Sequence, residues 1–274
     1  MISSRRNPLV RRLRALTTKQ GREEAGLLLL EGTHLLEEAI KTSWMPLEII
    51  ATNNWIEDHF EIFKQLQEVV PLRKVTIEVL EAAITTKQPD GVASIFPING
   101  LPQTKQNPEF ILALDRLQDP GNMGMLFRTA LAADVEMLWL SLGADPLSQK
   151  VLRASAGSVL HIPFLRFASS EDKALEAFAQ KLEDVANKGY QVVATVLPGS
   201  SRQIKVLPYW ELNWQKPTVL VLGNEGKGLH PLIKTICNHF VTLPHNSEIE
   251  SLNVASVAVP MLLERRRAKM IADM

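Results

Sequence analysis

In the second half of the chain short apolar runs recur with helix-period segments between them, and this alternation limits the possible folds more than any other feature. The runs are Phe110–Leu114, Val135–Ser141, Gln191–Leu197, Thr218–Leu222 and Phe240–Leu243. Each is nearly continuous in apolar residues, the pattern of parallel strands buried on both faces. The segments Met125–Ala133, Ser148–Gly157, Glu171–Lys188 and Leu252 to about Met270 carry helical spacing. In the third, Ala174, Leu175, Phe178, Leu182, Val185 and Ala186 form an i, i+3/i+4 stripe suited to packing on a sheet. The alternation predicts a doubly wound α/β domain, whose ligands bind in loops beyond the carboxyl ends of the strands.

Upstream, Phe96 to Phe110 contains Pro97, Asn99, Gly100, Pro102, Gln103, Gln106, Asn107 and Pro108, the composition of an extended linker. The expected division is a domain at 1–97, a linker at 98–109 and a second domain at 110–274, and 274 residues suit two domains. In the first part, β-rich runs (Leu27–Leu30, Leu47–Ala51, Lys74–Ile77, Val92–Phe96) alternate with helical patterns at His34–Lys41 and Asp58–Val69, giving a small α/β unit.

Thirty basic residues balance thirty acidic ones, so net charge names no partner. The distribution is uneven. Residues 1–30 carry seven basic groups, including Arg5, Arg6, Arg11 and Arg12, against Glu23 and Glu24. That start reads as a phosphate-contacting arm for nucleic acid, with a transit peptide and a solvated helix face as alternatives. The single cysteine, Cys237, excludes an internal disulfide and a thiolate zinc cluster and reads as a buried apolar residue. The six histidines are scattered, so no metal site is expected. Leu252 to Leu263, the longest apolar candidate for a membrane span, is broken by Asn253, Ser256 and Pro260.

Three loops after strand-like runs are unusual. Asp115 to Gly124 holds Asp119-Pro120-Gly121-Asn122 turn chemistry ahead of a helix that carries Arg128. Gly223-Asn224-Glu225-Gly226-Lys227-Gly228 needs tight backbone, but Lys227 is followed by Gly228 rather than Ser or Thr, which fails the phosphate-loop pattern. Its glycine spacing and late position also fail the dinucleotide fingerprint. Leu243 to Ala255 joins the last strand to the last helix, with Ser251 as a natural N-cap and the Asn253 amide available to the loop. An arginine, a glutamate, a serine and two asparagines thus gather at one edge.

In these motifs, together with Ser4–Leu16, Glu31-Gly32, Leu35–Ala39 and Gln88–Val92, the chain resembles the SpoU/TrmH-type RNA 2′-O-ribose methyltransferases of the SPOUT superfamily over nearly its whole length. The resemblance implies a small N-terminal α/β substrate-binding domain, and a C-terminal parallel-sheet domain with a trefoil knot formed by the last two motifs. It also implies a homodimer, S-adenosyl-L-methionine as cofactor, an RNA substrate with ribosomal RNA favoured, and a cytoplasmic location without membrane or metal. By motif match Gly223, Leu243 and Leu252 hold the cofactor through backbone groups, with Thr195 at the same pocket. Arg128 is placed at the ribose hydroxyl, and Asn122, Glu225, Ser251 and Asn253 position the loops and the ribose. His245 and Pro260 depart from the family's usual pattern without touching these motifs. Two further readings are a tRNA ribose methyltransferase and a non-catalytic RNA-binding or ribosome-assembly protein of the same fold.

Overall fold

A computed structural model describes residues 1–167, 171–197 and 205–272. It divides into two units: residues 1–101 with 145–161, and residues 102–144 with the chain from 162 onward. In chain order the elements are α1 (Pro8–Leu16), α2 (Lys19–Ala25), β1 (Leu27–Glu31), α3 (Thr33–Lys41), β2 (Glu48–Ala51), α4 (Asn53–Asp58), α5 (Phe60–Leu66), β3 (Leu72–Lys74), α6 (Ile77–Ala83) and β4 (Val92–Pro97). There follow β5 (Phe110–Leu114), α7 (Pro120–Ala132), β6 (Met137–Leu140), α8 (Gln149–Ala154), β7 (Phe164–Arg166), α9 (Glu171–Asn187) and β8 (Gln191–Thr195). The chain closes with β9 (Leu207–Pro208), β10 (Thr218–Leu222), α10 (Pro231–Ile236), β11 (His239–Thr242) and α11 (Val254–Ala272).

The first unit is a four-stranded sheet in the order β1-β4-β2-β3. β4 runs antiparallel to β1 and β2, and β3 lies parallel to β2. Leu9, Val10, Leu13 and Leu16 of α1 pack with Val79 and Leu80 of α6 onto Leu29, Ile50, Ala93 and Ile95 of the sheet. The basic start is thus folded onto this unit, with Arg5 and Arg6 just ahead of α1 and Arg11, Arg12 and Arg14 on it. The Ile2 amide donates to the Lys74 carbonyl at 2.8 Å, and Ile2 receives the Thr76 amide at 3.0 Å. Arg12 bonds Glu48 at 2.6 Å, Arg14 donates to the Ala82 carbonyl, and Arg22 is buried against Asp145. Arg5, Arg6 and Arg11 stay exposed.

Two local expectations shift for plain reasons. The helical pattern at 58–69 is two helices, α4 and α5, because His59 leaves helical geometry at φ −121°, ψ 41°. β3 ends at Lys74, since Thr76 already stands extended at the start of α6. The segment 145–161, which sequence periodicity leaves within the second domain, packs with the first unit. Gln149 donates to the Leu29 carbonyl at 2.7 Å, and His161 meets Glu38 at 2.8 Å.

The second unit is a seven-stranded parallel sheet in the order β7-β6-β5-β10-β8-β11-β9. Every residue of β5, β6 and β10 is buried, as continuous apolar runs require. The stripe of α9, with Phe178 and Leu182 fully buried, packs on Ile111, Val192, Val219 and Val221. Cys237 lies in this core, where burial and the Asp115 charge push its thiol up to about 12. α7 begins at Pro120, ahead of the expected Met125. Asp119 caps it by accepting the Asn122 amide at 2.7 Å, and Pro120 occupies the first helical position, where its missing N–H is harmless. Among the described residues no helix is long and apolar enough to cross a membrane.

Candidate active site

β5, β10 and β11 each deliver one of the unusual loops to the carboxyl edge of the parallel sheet. The loop after β10 folds back on itself. Asn224 and Gly228 exchange backbone hydrogen bonds at 3.1 and 2.9 Å, while the Asn224 Oδ1 accepts the Gly226 and Lys227 amides at 3.0 and 2.9 Å. Gly228 takes φ +64°, open to glycine at little strain. A Cβ at Gly223 would stand 2.4 Å from the Gly228 carbonyl carbon and the Leu229 nitrogen, so only glycine closes this turn. Gly226, in contrast, has nothing nearer than 3.8 Å.

Glu225 ties this loop to the one after β5. Its carboxylate accepts the Asp119 amide at 3.0 Å, the Gln118 amide at 3.2 Å and the Asn122 side-chain amide at 3.2 Å. Burial acts to raise its pKa, yet hydrogen bonds from the Asp119 amide, its own amide, the Gln118 amide and Asn122 prevail and hold it below the ordinary carboxyl value. Asn122 passes the connection on, its Oδ1 accepting the Asn253 amide at 2.8 Å. The Asn253 Oδ1 in turn accepts the Ala255 and Ser256 amides at 2.9 and 3.3 Å. The N-cap of α11 is therefore Asn253 rather than Ser251. The relay Asn253–Asn122–Glu225 joins all three loops by side-chain hydrogen bonds.

Around the relay lies a cleft of about 500 Å³, within the range of small-molecule sites. Asn122, Glu225, Ser251, Asn253, Thr195, Gly223, Leu243 and Leu252 all line it. Its walls combine the polar backbone of the β10 loop with Val196, Leu197, Leu229 and Val257. Arg128 is not part of this lining; it is exposed on the third turn of α7. Arg5, Arg6, Arg11 and Arg12 belong to the first unit and are not among the residues lining this cleft.

Sequence reasoning passed over a support beneath the loops. Asp115, fully buried at the end of β5, accepts the His230 amide at 2.7 Å and pairs with Arg116 at 2.9 Å. Arg116, at φ +55°, gives its carbonyl to the Asn224 side chain at 2.9 Å. The signal was an aspartate closing an apolar strand, where a lone carboxylate has to find donors in the neighbouring loops. Lys234 of α10, which carries no motif, also lines the cleft.

Comparison with known proteins places this architecture. A family model described as the SpoU rRNA Methylase family matches residues 109–263, and one described as an MRM3-like substrate binding domain matches residues 7–94. An uncharacterized tRNA/rRNA methyltransferase of Synechocystis sp. is 37% identical over 99% of this chain and 95% of its own length. The 23S rRNA (guanosine(2553)-2′-O)-methyltransferase RlmP of Bacillus subtilis is 30% identical over 97% of this chain and 98% of its own. The AdoMet-bound crystal structure of an rRNA methyltransferase from Sinorhizobium meliloti superposes with a TM-score of 0.78 at 28% identity, covering 97% of each chain. By family match, full-length relatives and fold together, this chain belongs to the SpoU rRNA methylase family.

Proposed function

We propose that this protein transfers a methyl group from S-adenosyl-L-methionine to a ribose 2′-hydroxyl of RNA, ribosomal RNA foremost. One observation carries the reading: the Asn253–Asn122–Glu225 relay brings three motif loops to a single cleft whose turn at Gly223 admits no side chain. A cleft lined by the apolar Val196, Leu197, Leu229 and Val257 together with the polar and glycine residues of the β10 loop fits an amphiphilic nucleoside such as this cofactor. Gly223, Leu243 and Leu252 would hold it through backbone groups, with Thr195 at the edge. When bound, S-adenosyl-L-methionine supplies an electrophilic methyl group.

The chain's own residues align the nucleophile and help its hydroxyl lose the proton. Asn122, Glu225, Ser251 and Asn253 fix the loops against which the ribose rests. Arg128, exposed and outside the cleft lining, acts on the RNA side. Its guanidinium grips the adjacent phosphate in bidentate fashion and stabilises the developing alkoxide, while the proton leaves to phosphate or water. Met125 and Leu131 of α7 and Val259 and Leu263 of α11 are exposed apolar residues on two helices that pack together, which supports a homodimer through these helices. A trefoil knot in the second unit and a cytoplasmic location go with the same reading.

The test supplies radiolabelled S-adenosyl-L-methionine and total RNA from cells lacking the gene. Label confined to one ribosomal ribose, lost with Arg128→Ala while cofactor binding persists, is the expected result. Label in tRNA redirects the substrate, and cofactor binding without transfer to any RNA overturns the enzymatic reading. Wild-type turnover by Arg128→Ala removes that residue from the mechanism.

A further inference from the structure

The first unit holds a second cleft, of about 600 Å³, lined among others by Thr17, Thr86, Lys87, Ser148, Lys150 and Arg153. Three cationic side chains and several hydroxyls face it, and no carboxylate is among its lining residues. Lys87 and Lys150 are exposed and make no ion pair with a described residue.

Behind Arg153 sits Glu31, its side chain fully buried. An isolated buried carboxylate is costly, but Glu31 accepts the Thr85 and Thr86 amides, both at 2.9 Å, and the Thr86 hydroxyl at 2.6 Å. The Thr85 hydroxyl donates to it as well, at 3.0 Å. Its needs are met before Arg153 arrives. Arg153 nonetheless directs one nitrogen, Nη1, to Glu31 at 3.2 Å and to the Thr85 hydroxyl oxygen at 2.9 Å. Its Nε and Nη2 bond no described residue, and the side chain is 39% exposed. A guanidinium held at one nitrogen and open along its other edge is pre-organised for an anion that presents two oxygens, as a phosphodiester does. α8 carries Arg153 and Lys150 and is anchored in turn by the Gln149 bond to the β1 backbone.

We propose that this cleft docks the phosphate backbone of the RNA substrate, with Arg153 as a bidentate phosphate clamp and Lys87 and Lys150 as flanking point charges. The inference rests on the RNA reading above and adds a location to it. The N-terminal helix is less suited, since Arg12 and Arg14 are already committed to Glu48 and the Ala82 carbonyl.

The experiment titrates the full-length protein with a fluorescein-labelled RNA hairpin across a salt series, with S-adenosyl-L-methionine binding and thermal midpoint as controls on folding. For the double variant Lys87→Ala/Lys150→Ala we expect about tenfold weaker RNA binding and a log–log salt slope flatter by about 1.5, one phosphate contact per lysine. Cofactor binding and midpoint should be unchanged. Arg153→Lys keeps the charge but not the fork, and should weaken binding nearly as much as Arg153→Ala. RNA binding by the double variant at wild-type strength and slope overturns this site alone. Failure of the wild-type protein to bind the hairpin while it binds the cofactor overturns the RNA reading together with this proposal. Competition by polyglutamate but not by unlabelled RNA assigns the cleft to an acidic protein partner and overturns it too.

Discussion

At the scale of single residues, Gly223 and Gly226 separate two meanings of glycine in one loop. The missing side chain at Gly223 is a close approach of backbone to backbone, which no rotamer can relieve. Gly223→Ala should weaken S-adenosyl-L-methionine binding about tenfold, the equivalent of about 1.4 kcal/mol, whereas Gly226→Ala should bind as the wild type does; calorimetry on both variants decides it. Glu225 gives a pH signature. Its folded-state pKa is depressed, so its contribution to stability is fully present above the ordinary carboxyl value and is lost as pH falls through the folded value. The gap in thermal midpoint between wild type and Glu225→Gln should be present at neutral pH and close only in acid below the ordinary carboxyl range, as Glu225 itself takes up its proton. A gap that persists in acid would show that the charge on Glu225 is not what holds the loops. The pairing of Glu225 with Asn122 and Asn253 was legible only as a gathering of residue types, because hydrogen-bond partners 103 and 131 positions apart leave no trace in local spacing.

Among the elements, α7 and α11 show how much a cap decides. Asp119-Pro120 is a helix start written in two residues, yet read as a turn it moves the helix five residues downstream. Asn253 caps α11 and holds Asn122 with its amide, so Asn253→Ala should cost about 1 kcal/mol through the cap alone. Ser251→Ala should leave the thermal midpoint unmoved; a larger loss at Ser251 than at Asn253 would reverse the assignment. The strands of the second unit were readable because they are buried on both faces. β5 and β10 match their apolar runs residue for residue. β3 and β9, of three and two residues, are too short to carry a period. α8 could be recognised as a helix, but nothing in its own spacing says which sheet it serves.

For the whole molecule, the partition of basic residues replaces the neutral total as the informative quantity. Part of the N-terminal cluster is structural, so neutralising Arg5, Arg6 and Arg11 tests RNA affinity more cleanly than neutralising Arg12, which also releases Glu48. An RNA titration with the triple variant should show a smaller salt slope at an unchanged thermal midpoint, and an unchanged slope would leave that helix face merely solvated. The first unit takes in residues 145–161, so it is discontinuous in the chain. This sets an order in time. While the protein is being synthesised, the first 101 residues leave the ribosome without Gln149 for Leu29, Arg153 for Glu31 or Asp145 for the buried Arg22. These 101 residues are therefore expected to stay incompletely closed until more than half of the polypeptide has been made. A fragment ending at Leu101 should melt lower than the same fragment joined through a flexible linker to residues 145–161, and equal melting would mean that this returning segment docks on a unit already complete.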